Sequence, residues 1–395
     1  DVYKRQAPLL IYSSNLLAKD SATIFGLYTY NDAVPTAEQV LGHSLGTDIN
    51  WTADARRYFE ALQDFAPQNV RIVDYGSSWE GRTLFYVVLS SEKNIARLAD
   101  IKNNMQRLAD PRQLSESQAQ KLIESTPAVT WLSYSVHGNE ISSTEAAMAT
   151  AYHLLASTND PVAKAAMEET VTVLVPVQNP DGRDRFVHHF EMARGPVADA
   201  NMDSAEHNEP WPRGRTNHYL FDLNRDWFAQ TQPEIRAHAK AFLEWMPVAF
   251  VDAHEMGSDS TYFFAPEAEP YNPFITAEQR ASLIMFGKTN AKRFDHFGID
   301  YFTREVFDAF YPGYGASWPI YHGAIAMTYE QASARGLIAT RYDGSQFSYA
   351  ETVRNHFVAS LATIETVAGN RQKLLQQFYE YRRSAIEIGS KGKTR

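Results

Sequence analysis

Ala128-Val129-Thr130-Trp131-Leu132-Ser133-Tyr134-Ser135-Val136-His137-Gly138-Asn139-Glu140 is the stretch on which the fold is decided. Its first nine residues are apolar or β-favouring and read as a buried strand, Ala128–Val136. The chain then turns through His137-Gly138-Asn139-Glu140 into Ile141–Ala156, an alanine-rich helical stretch. Strand, turn and helix in immediate succession form the repeating unit of an α/β sheet. Polar residues at such a turn stand at the carboxyl edge, where these sheets carry their sites. The same rhythm continues in both directions. Further strands are expected at Arg71–Tyr75, Thr83–Ser90, Val171–Gln178, Val248–His254, Thr261–Ala265 and Ala324–Glu330. Helices are expected at Thr52–Phe65, Pro233–Met246 and Ala277–Phe294, followed by a pair between Tyr349 and Glu387 broken at Gly369-Asn370. No repeat or low-complexity tract interrupts the pattern, which implies one α/β domain.

The best-marked helix start is Thr231-Gln232-Pro233-Glu234, a capping box with proline in the first turn. Ile235, Ala239, Phe242, Leu243 and Met246 then recur at helical spacing and should lie against the sheet. Asp184–Phe221 shows no periodicity and is rich in Asn, Gly, Pro and Arg, so it reads as a long functional loop.

Composition narrows the chemistry. Of 395 residues, 44% are hydrophobic and 21% charged, an ordinary globular balance that excludes a disordered chain. There is no cysteine, hence no disulfide, no thiol nucleophile and no thiolate metal site, and any metal must sit on histidines and carboxylates. The 37 Lys+Arg against 47 Asp+Glu give a net charge of −10, and no basic block stands out, which argues against nucleic acid as a partner. No apolar run approaches the roughly 20 residues needed to span a bilayer. Asp1–Gln6 reads as a cloning or translation scar, Leu9–Ala18 as the remnant of a secretory leader, and Gly389–Arg395 as a basic tail or the start of a linker. Residues 1–30 are accordingly set apart as an extension, and 31–388 as the domain proper.

With 12 histidines in the chain, about one His-x-x-Glu is expected by chance, and His188-His189-Phe190-Glu191 is such a decoy. His137 and Glu140 gain weight from a second feature. His254 ends an apolar strand, with Asp252 two residues earlier on the same face of an extended chain. Two imidazoles and one carboxylate make an open three-ligand zinc set, and Asp252 can hold the second nitrogen of His254. A histidine hydrogen-bonded to Asp252 at a strand end satisfies the same residues without a metal. Asn179-Pro180-Asp181-Gly182 reads as a type I turn. In Asp222-Leu223-Asn224-Arg225, arginine beside asparagine suits a bidentate grip on a carboxylate, although an ordinary loop accounts for it equally. Glu330 closes the strand Ala324–Glu330, where partial burial would raise its pKa toward that of a general base; a half-exposed glutamate is the plainer reading.

Taken in order over roughly Trp51 to Phe378, these pieces resemble the zinc carboxypeptidases of the carboxypeptidase A type. The resemblance implies a single domain with a mixed, mostly parallel twisted sheet flanked by helices. It implies one Zn²⁺ on His137, Glu140 and His254, the His₂Glu set given for that enzyme. It implies Asn224 and Arg225 as the grip on a peptide's free C-terminal carboxylate, and Glu330 as the base that activates the attacking water. Arg215 is the expected carbonyl-polarising arginine, with Arg213 and Arg194 behind it. The substrate-capping tyrosine falls in Phe310-Tyr311-Pro312-Gly313-Tyr314, with Tyr311 preferred on spacing and Tyr314 second. The implied activity is hydrolysis of the C-terminal peptide bond by a secreted or periplasmic enzyme. The alternatives are a zinc amidase acting on cell-wall peptides or N-acyl amino acids, and a peptide-binding member without turnover. Glu255, next to His254, would repel an acidic substrate or face solvent.

Overall fold

In the computed structural model, which describes residues 26 and 28–392, the β-type runs assemble into a mixed sheet of eight strands. The strands are β1 Val70–Ser77, β2 Thr83–Leu89, β3 Ala128–Tyr134, β4 Thr170–Val175, β5 Ala249–Met256, β6 Tyr262–Phe263, β7 Tyr301–Phe302 and β8 Ile325–Ala332. Their order is β1-β2-β4-β3-β5-β8-β6-β7. The central four, β4-β3-β5-β8, run parallel, while β1, β2 and β6 make the antiparallel joins. A short hairpin of β9 Ile338–Thr340 with β10 Gln346–Ser348 stands apart. The parallel strands are covered on both faces, so β3 and β4 are buried at every residue and read as continuous apolar runs rather than alternating ones.

The helices are α1 Ala37–Leu41, α2 Thr52–Phe65, α3 Glu92–Ile95, α4 Leu98–Ala109, α5 Glu116–Ser125, α6 Ser142–Ala156, α7 Pro161–Glu169, α8 Pro180–Ala193, α9 Pro233–Trp245, α10 Ala277–Phe297, α11 Tyr349–Gly369 and α12 Arg371–Lys391. Helix α9 covers one face of the sheet and sets His238 and Phe242 against Trp131 of β3 and Phe250 of β5. Tyr134 points to the opposite face, where its hydroxyl meets Ser360 Oγ of α11 at 2.8 Å. Helices α6, α7 and α10 pack around α11 on that side. Among the described residues no helix is long and apolar enough to cross a membrane. The segments Asp1–Gln6 and Leu9–Ala18 lie outside the described residues.

Four local expectations are corrected. The capping box at Thr231 does not form: α9 begins at Pro233, and Gln232 caps it without a side-chain bond. Asp226 takes the Thr231 and Gln232 N–H groups instead, at 3.0 and 2.8 Å, and Glu234 turns to accept from Trp79 N–H at 3.2 Å. Tertiary acceptors have replaced a local one. Asn179-Pro180-Asp181-Gly182 is the cap and first turn of α8 rather than a free turn, with Asn179 Oδ1 accepting from Gly182 N–H at 3.0 Å. That helix therefore runs through the first part of the segment read as loop. Its inward residues include the fully buried Arg183, which donates to Asn50 O and Ile141 O at 3.0 Å, so hydropathy alone did not reveal the helix. At the other end α12 continues to Lys391, and the stretch read as tail begins as helix.

The β3–α6 turn and the start of α8 approach so closely that a Cβ on Gly138 would lie 2.0 Å from Arg183 N. Gly138→Ala should therefore cost several kcal/mol in urea unfolding, the range reserved for overpacked buried sites; a loss below 1 kcal/mol would mean that the turn gives way freely. His238 is fully buried, and burial lowers its pKa from 6.5 to about 3. A depressed histidine contributes stability above pH 6.5 that is lost as pH falls toward its folded value. Native protein should lose about 2 kcal/mol more than His238→Gln between pH 7 and pH 5. Equal losses in the two proteins would show that His238 is not the titrating group.

Candidate metal centre

Strand β3 ends at Tyr134, and Ser135 turns the chain with φ 57°. Gln178 N–H donates to Tyr134 O at 3.0 Å and Asn179 N–H to Ser135 O at 3.1 Å, tying the turn to the segment that follows β4. Because β5 is the sheet neighbour of β3, the turn brings His137 and Glu140 beside His254. His137 Nδ1 lies 2.7 Å from Glu140 Oε1, and His254 Nδ1 lies 3.0 Å from Glu140 Oε2. All three side chains are buried, and their candidate ligand atoms lie within 4.8 Å of one another.

The remaining ring nitrogens are held from behind. His137 Nε2 is 3.0 Å from Asp222 Oδ1. His254 Nε2 is 3.0 Å from Asp252 Oδ2, an ion-pair contact rather than an aligned hydrogen bond, and 3.1 Å from Asn224 Nδ2. A carboxylate at Nε2 favours a proton there and leaves the Nδ1 lone pair for a metal on each ring. Two imidazole nitrogens facing one carboxylate is a donor set that suits zinc. Burial favours the neutral form of Glu140, yet His137 and His254 outweigh it and hold its pKa below the usual carboxylate range. Both imidazoles are raised in return, against burial, by Glu140 and by their aspartates.

Glu330 is the ladder partner of His254 in the parallel β5–β8 pair. Burial pushes its carboxyl up to about 7, with His254 pulling the other way. Arg215 reaches the cluster from the long segment before Asp222: its Nη1 lies 3.2 Å from His137 Nδ1 and 3.5 Å from Glu140 Oε1, and its Nη2 donates to Asp222 Oδ2 at 3.0 Å. Arg194 is elsewhere, paired with Asp48 at 2.6 Å beyond the end of α8. Arg213 is exposed, and its backbone is engaged, the N–H donating to Pro210 O at 3.0 Å and the carbonyl accepting from Arg185 at 2.8 Å. Asn224 and Arg225 lie in a single 3₁₀ turn, Leu223–Arg225. Asn224 Oδ1 accepts from Gly315 N–H at 2.6 Å, which docks the Tyr311–Tyr314 loop onto that turn. The guanidinium of Arg225 stacks 4.7 Å from the Tyr314 ring centre, and Tyr314 meets Tyr311 edge-on at 5.1 Å.

Comparison with known proteins supplies the family and the fold. The family profile described as zinc carboxypeptidase matches residues 55–297. The chain belongs to the zinc carboxypeptidase family. No curated protein matches it. Among solved structures, the carboxypeptidase A of Helicoverpa armigera is similar at a TM-score of 0.56 and 16% identity, covering 93% of this chain and 81% of that one. A metallo-carboxypeptidase from Burkholderia cenocepacia is similar at a TM-score of 0.54 and 16% identity, over 81% of this chain and 69% of that one. A carboxypeptidase A-like protein from Shewanella denitrificans gives 0.53 and 18%, over 80% and 69%. At such identities the likeness is one of fold, and the zinc carboxypeptidase sheet and helices are what is shared.

Three residues around the centre escaped the sequence reading or were misjudged there. Asp222, seen only as part of a motif, sits behind His137. Gln178 Nε2 donates to Asp252 Oδ1 at 3.0 Å and steadies the carboxylate behind His254. Glu255 neither faces solvent nor reaches toward substrate. Buried, it accepts from Ile141 and Ser142 N–H at 3.1 and 2.8 Å and from the Ser142 and Ser333 hydroxyls, so it holds the start of α6. The alternation of β5 would have announced this, since Glu255 points away from the face that carries Asp252 and His254. Asp222→Ala should weaken zinc binding about 10- to 100-fold, as read by competition with a chromophoric chelator; unchanged affinity would remove Asp222 from the support of His137.

Proposed function

We propose that this zinc carboxypeptidase family member is an active metallocarboxypeptidase that removes the C-terminal residue of peptides ending in a free carboxylate. The observation that carries the reading is the meeting of His137 Nδ1, His254 Nδ1 and both oxygens of Glu140 at one rim of the sheet, with Glu330 next along the ladder. His137, Glu140 and His254 would hold the zinc ion. When bound, zinc supplies a Lewis acid that polarises the scissile carbonyl and eases deprotonation of water.

The protein's own groups do the rest. Glu330, with a carboxyl lifted to about 7, takes the proton of the attacking water and passes it to the leaving amine. Arg215 reaches the cluster with a side chain 42% exposed and shares the negative charge that develops on the carbonyl oxygen. Arg225 forms no ion pair among the described residues; its Nη1 donates to Asn224 O at 3.0 Å, which holds the guanidinium over Tyr314, and its remaining N–H groups are offered to the peptide's terminal carboxylate. Asn224, its Oδ1 taken by the Gly315 N–H, acts mainly by fixing the turn that presents Arg225. Tyr311, 43% exposed on the adjoining loop, covers the substrate, and Tyr314 braces Arg225. Anchoring of the terminal carboxylate lets only the last peptide bond reach the catalytic groups. With this reading go residues 31–388 as the catalytic unit and an exported protein, the latter on the leader-like composition of Leu9–Ala18.

The zinc-loaded protein should release the terminal amino acid from a peptide with a free C-terminus and leave its C-terminally amidated twin intact. Equal release from both would replace the carboxypeptidase reading with that of a broader amidase. Glu330→Gln should retain stoichiometric zinc and lose at least about a hundredfold in kcat; turnover near that of the native protein would take Glu330 out of the mechanism.

A further inference from the structure

Arg215 belongs to an irregular stretch of chain. Between the end of α8 and the 3₁₀ turn Leu223–Arg225 the only helical piece is the short 3₁₀ turn Ala205–His207, yet the Arg215 guanidinium meets a fixed point beside Glu140. A buried carboxylate outside the cluster, Glu209, supplies the missing support. Its Oε1 accepts from Asn139 Nδ2 at 2.6 Å, and its Oε2 accepts from Gly214 N–H at 2.5 Å. Asn139 immediately precedes Glu140 in the chain, and Gly214 immediately precedes Arg215. One rigid carboxylate therefore joins the two backbone segments that carry a metal-ligand candidate and the arginine beside it. Its ion-pair partner among the described residues is Arg335, with Nη1 3.9 Å from Oε1.

The surrounding contacts decide which side of this bridge can shift. The β3–α6 turn is held without Glu209: Glu140 N–H donates to His137 O at 3.1 Å, Gly138 is pressed against α8, and Glu255 takes the Ile141 and Ser142 N–H groups. The segment of Glu209 is anchored as well, since the buried His207 has Nε2 2.6 Å from Asp199 O and Nδ1 3.2 Å from Arg335 O. On the Arg215 side, Asn179 Nδ2 donates to Arg215 O at 3.2 Å and Asp222 holds the guanidinium, while the Gly214 N–H goes to Glu209. A Cβ on Gly214 would lie 2.6 Å from Gly182 O and 3.2 Å from Asn139 Cβ, so the loop comes this close to α8 and to the turn only as glycine. A buried carboxylate that lost one of its two donors would be left half-satisfied, which ties both donors to it at once.

We infer that Glu209 is a positioning residue for the proposed reaction: it sets the spacing between Glu140 and Arg215 and so aims the guanidinium at the point where negative charge develops. This rests on the carboxypeptidase reading above. Charge stabilisation of that kind acts on the transition state and depends on placement fixed before reaction, whereas the grip on the substrate's carboxylate belongs to Arg225. A loosened Arg215 would therefore lower kcat and leave KM almost unchanged.

The test is a double-mutant cycle on the zinc-loaded full chain with a peptide that ends in a free carboxylate. Glu209→Gln keeps the shape of the side chain but turns an amide N–H₂ toward a group that is itself a donor. It should retain stoichiometric zinc, hold KM within about threefold and lose at least about tenfold in kcat, part of the roughly 100- to 1,000-fold that a missing charge-stabilising donor costs. In an Arg215→Ala background the same change should cost less than about threefold more, because no guanidinium is left to misplace. Independently of turnover, the Gly214 amide should exchange with deuterium at least about tenfold faster in Glu209→Gln, with the β3 amides unaffected. Equal losses of kcat in the two backgrounds would overturn the inference and reduce Glu209 to a general support of the fold. Loss of zinc, unchanged Gly214 exchange, or a kcat within about threefold of native would overturn it too. Asn139→Ala removes the other half of the bridge; it should reproduce the non-additive loss of kcat, and it decides the matter if Glu209→Gln does not fold. All these failures leave the carboxypeptidase reading standing as long as the native protein hydrolyses the peptide, and a native protein without hydrolysis overturns both.

Discussion

Glu140 placed between two imidazoles is the constraint around which the rest of the molecule is arranged. Each of its oxygens faces an Nδ1 atom, and all three groups are buried. Burial alone would neutralise each of them, so the cluster holds its charge only because its members face one another at close range. That demands positional accuracy from segments far apart in sequence. The left-handed Ser135, the bare Gly138 against α8, and the carboxylates of Asp222 and Asp252 behind the rings serve that demand.

The surroundings divide the labour among carboxylates by environment. Glu140 is kept ionised by histidines, Glu330 is lifted by burial to where it can exchange a proton, and Glu255 is spent on the backbone at the start of α6. Adjacent residues therefore have unrelated tasks. His254 and Glu255 point to opposite sides of β5, one into the metal centre and the other into the helix layer. The loop side is built the same way. Asn224 carries few free valences of its own, but by meeting both His254 and Gly315 it couples the metal centre to the turn that presents Arg225 and to the tyrosine loop.

Much of the fold was legible because buried parallel strands leave continuous apolar runs, and the runs that form β3, β5 and β8 each lead to a residue of the cluster. The pair of helices broken at Gly369-Asn370 was legible for a similar reason, a helical pattern with a clear interruption. Helix α8 was not. Its inner face carries Arg183 and Asp181, and the buried partners that satisfy them come from Asn50, Ile141, Ser78 and Arg82, which no local pattern announces. The cap of α9 failed for the same reason, since Asp226 rather than Glu234 accepts the Thr231 N–H.

The residue types and their order along the chain were set by sequence alone: histidine and glutamate after one strand, histidine at the end of another, glutamate at the end of a third, and no thiol to compete. Strand register and packing decided what those residues meet. Which nitrogen of each ring faces Glu140 and which of three arginines reaches the cluster are consequences of contacts between segments far apart in the chain. Short-range pattern carries no record of such contacts, because the energy that selects them is the desolvation and pairing of groups that are strangers until the chain has folded.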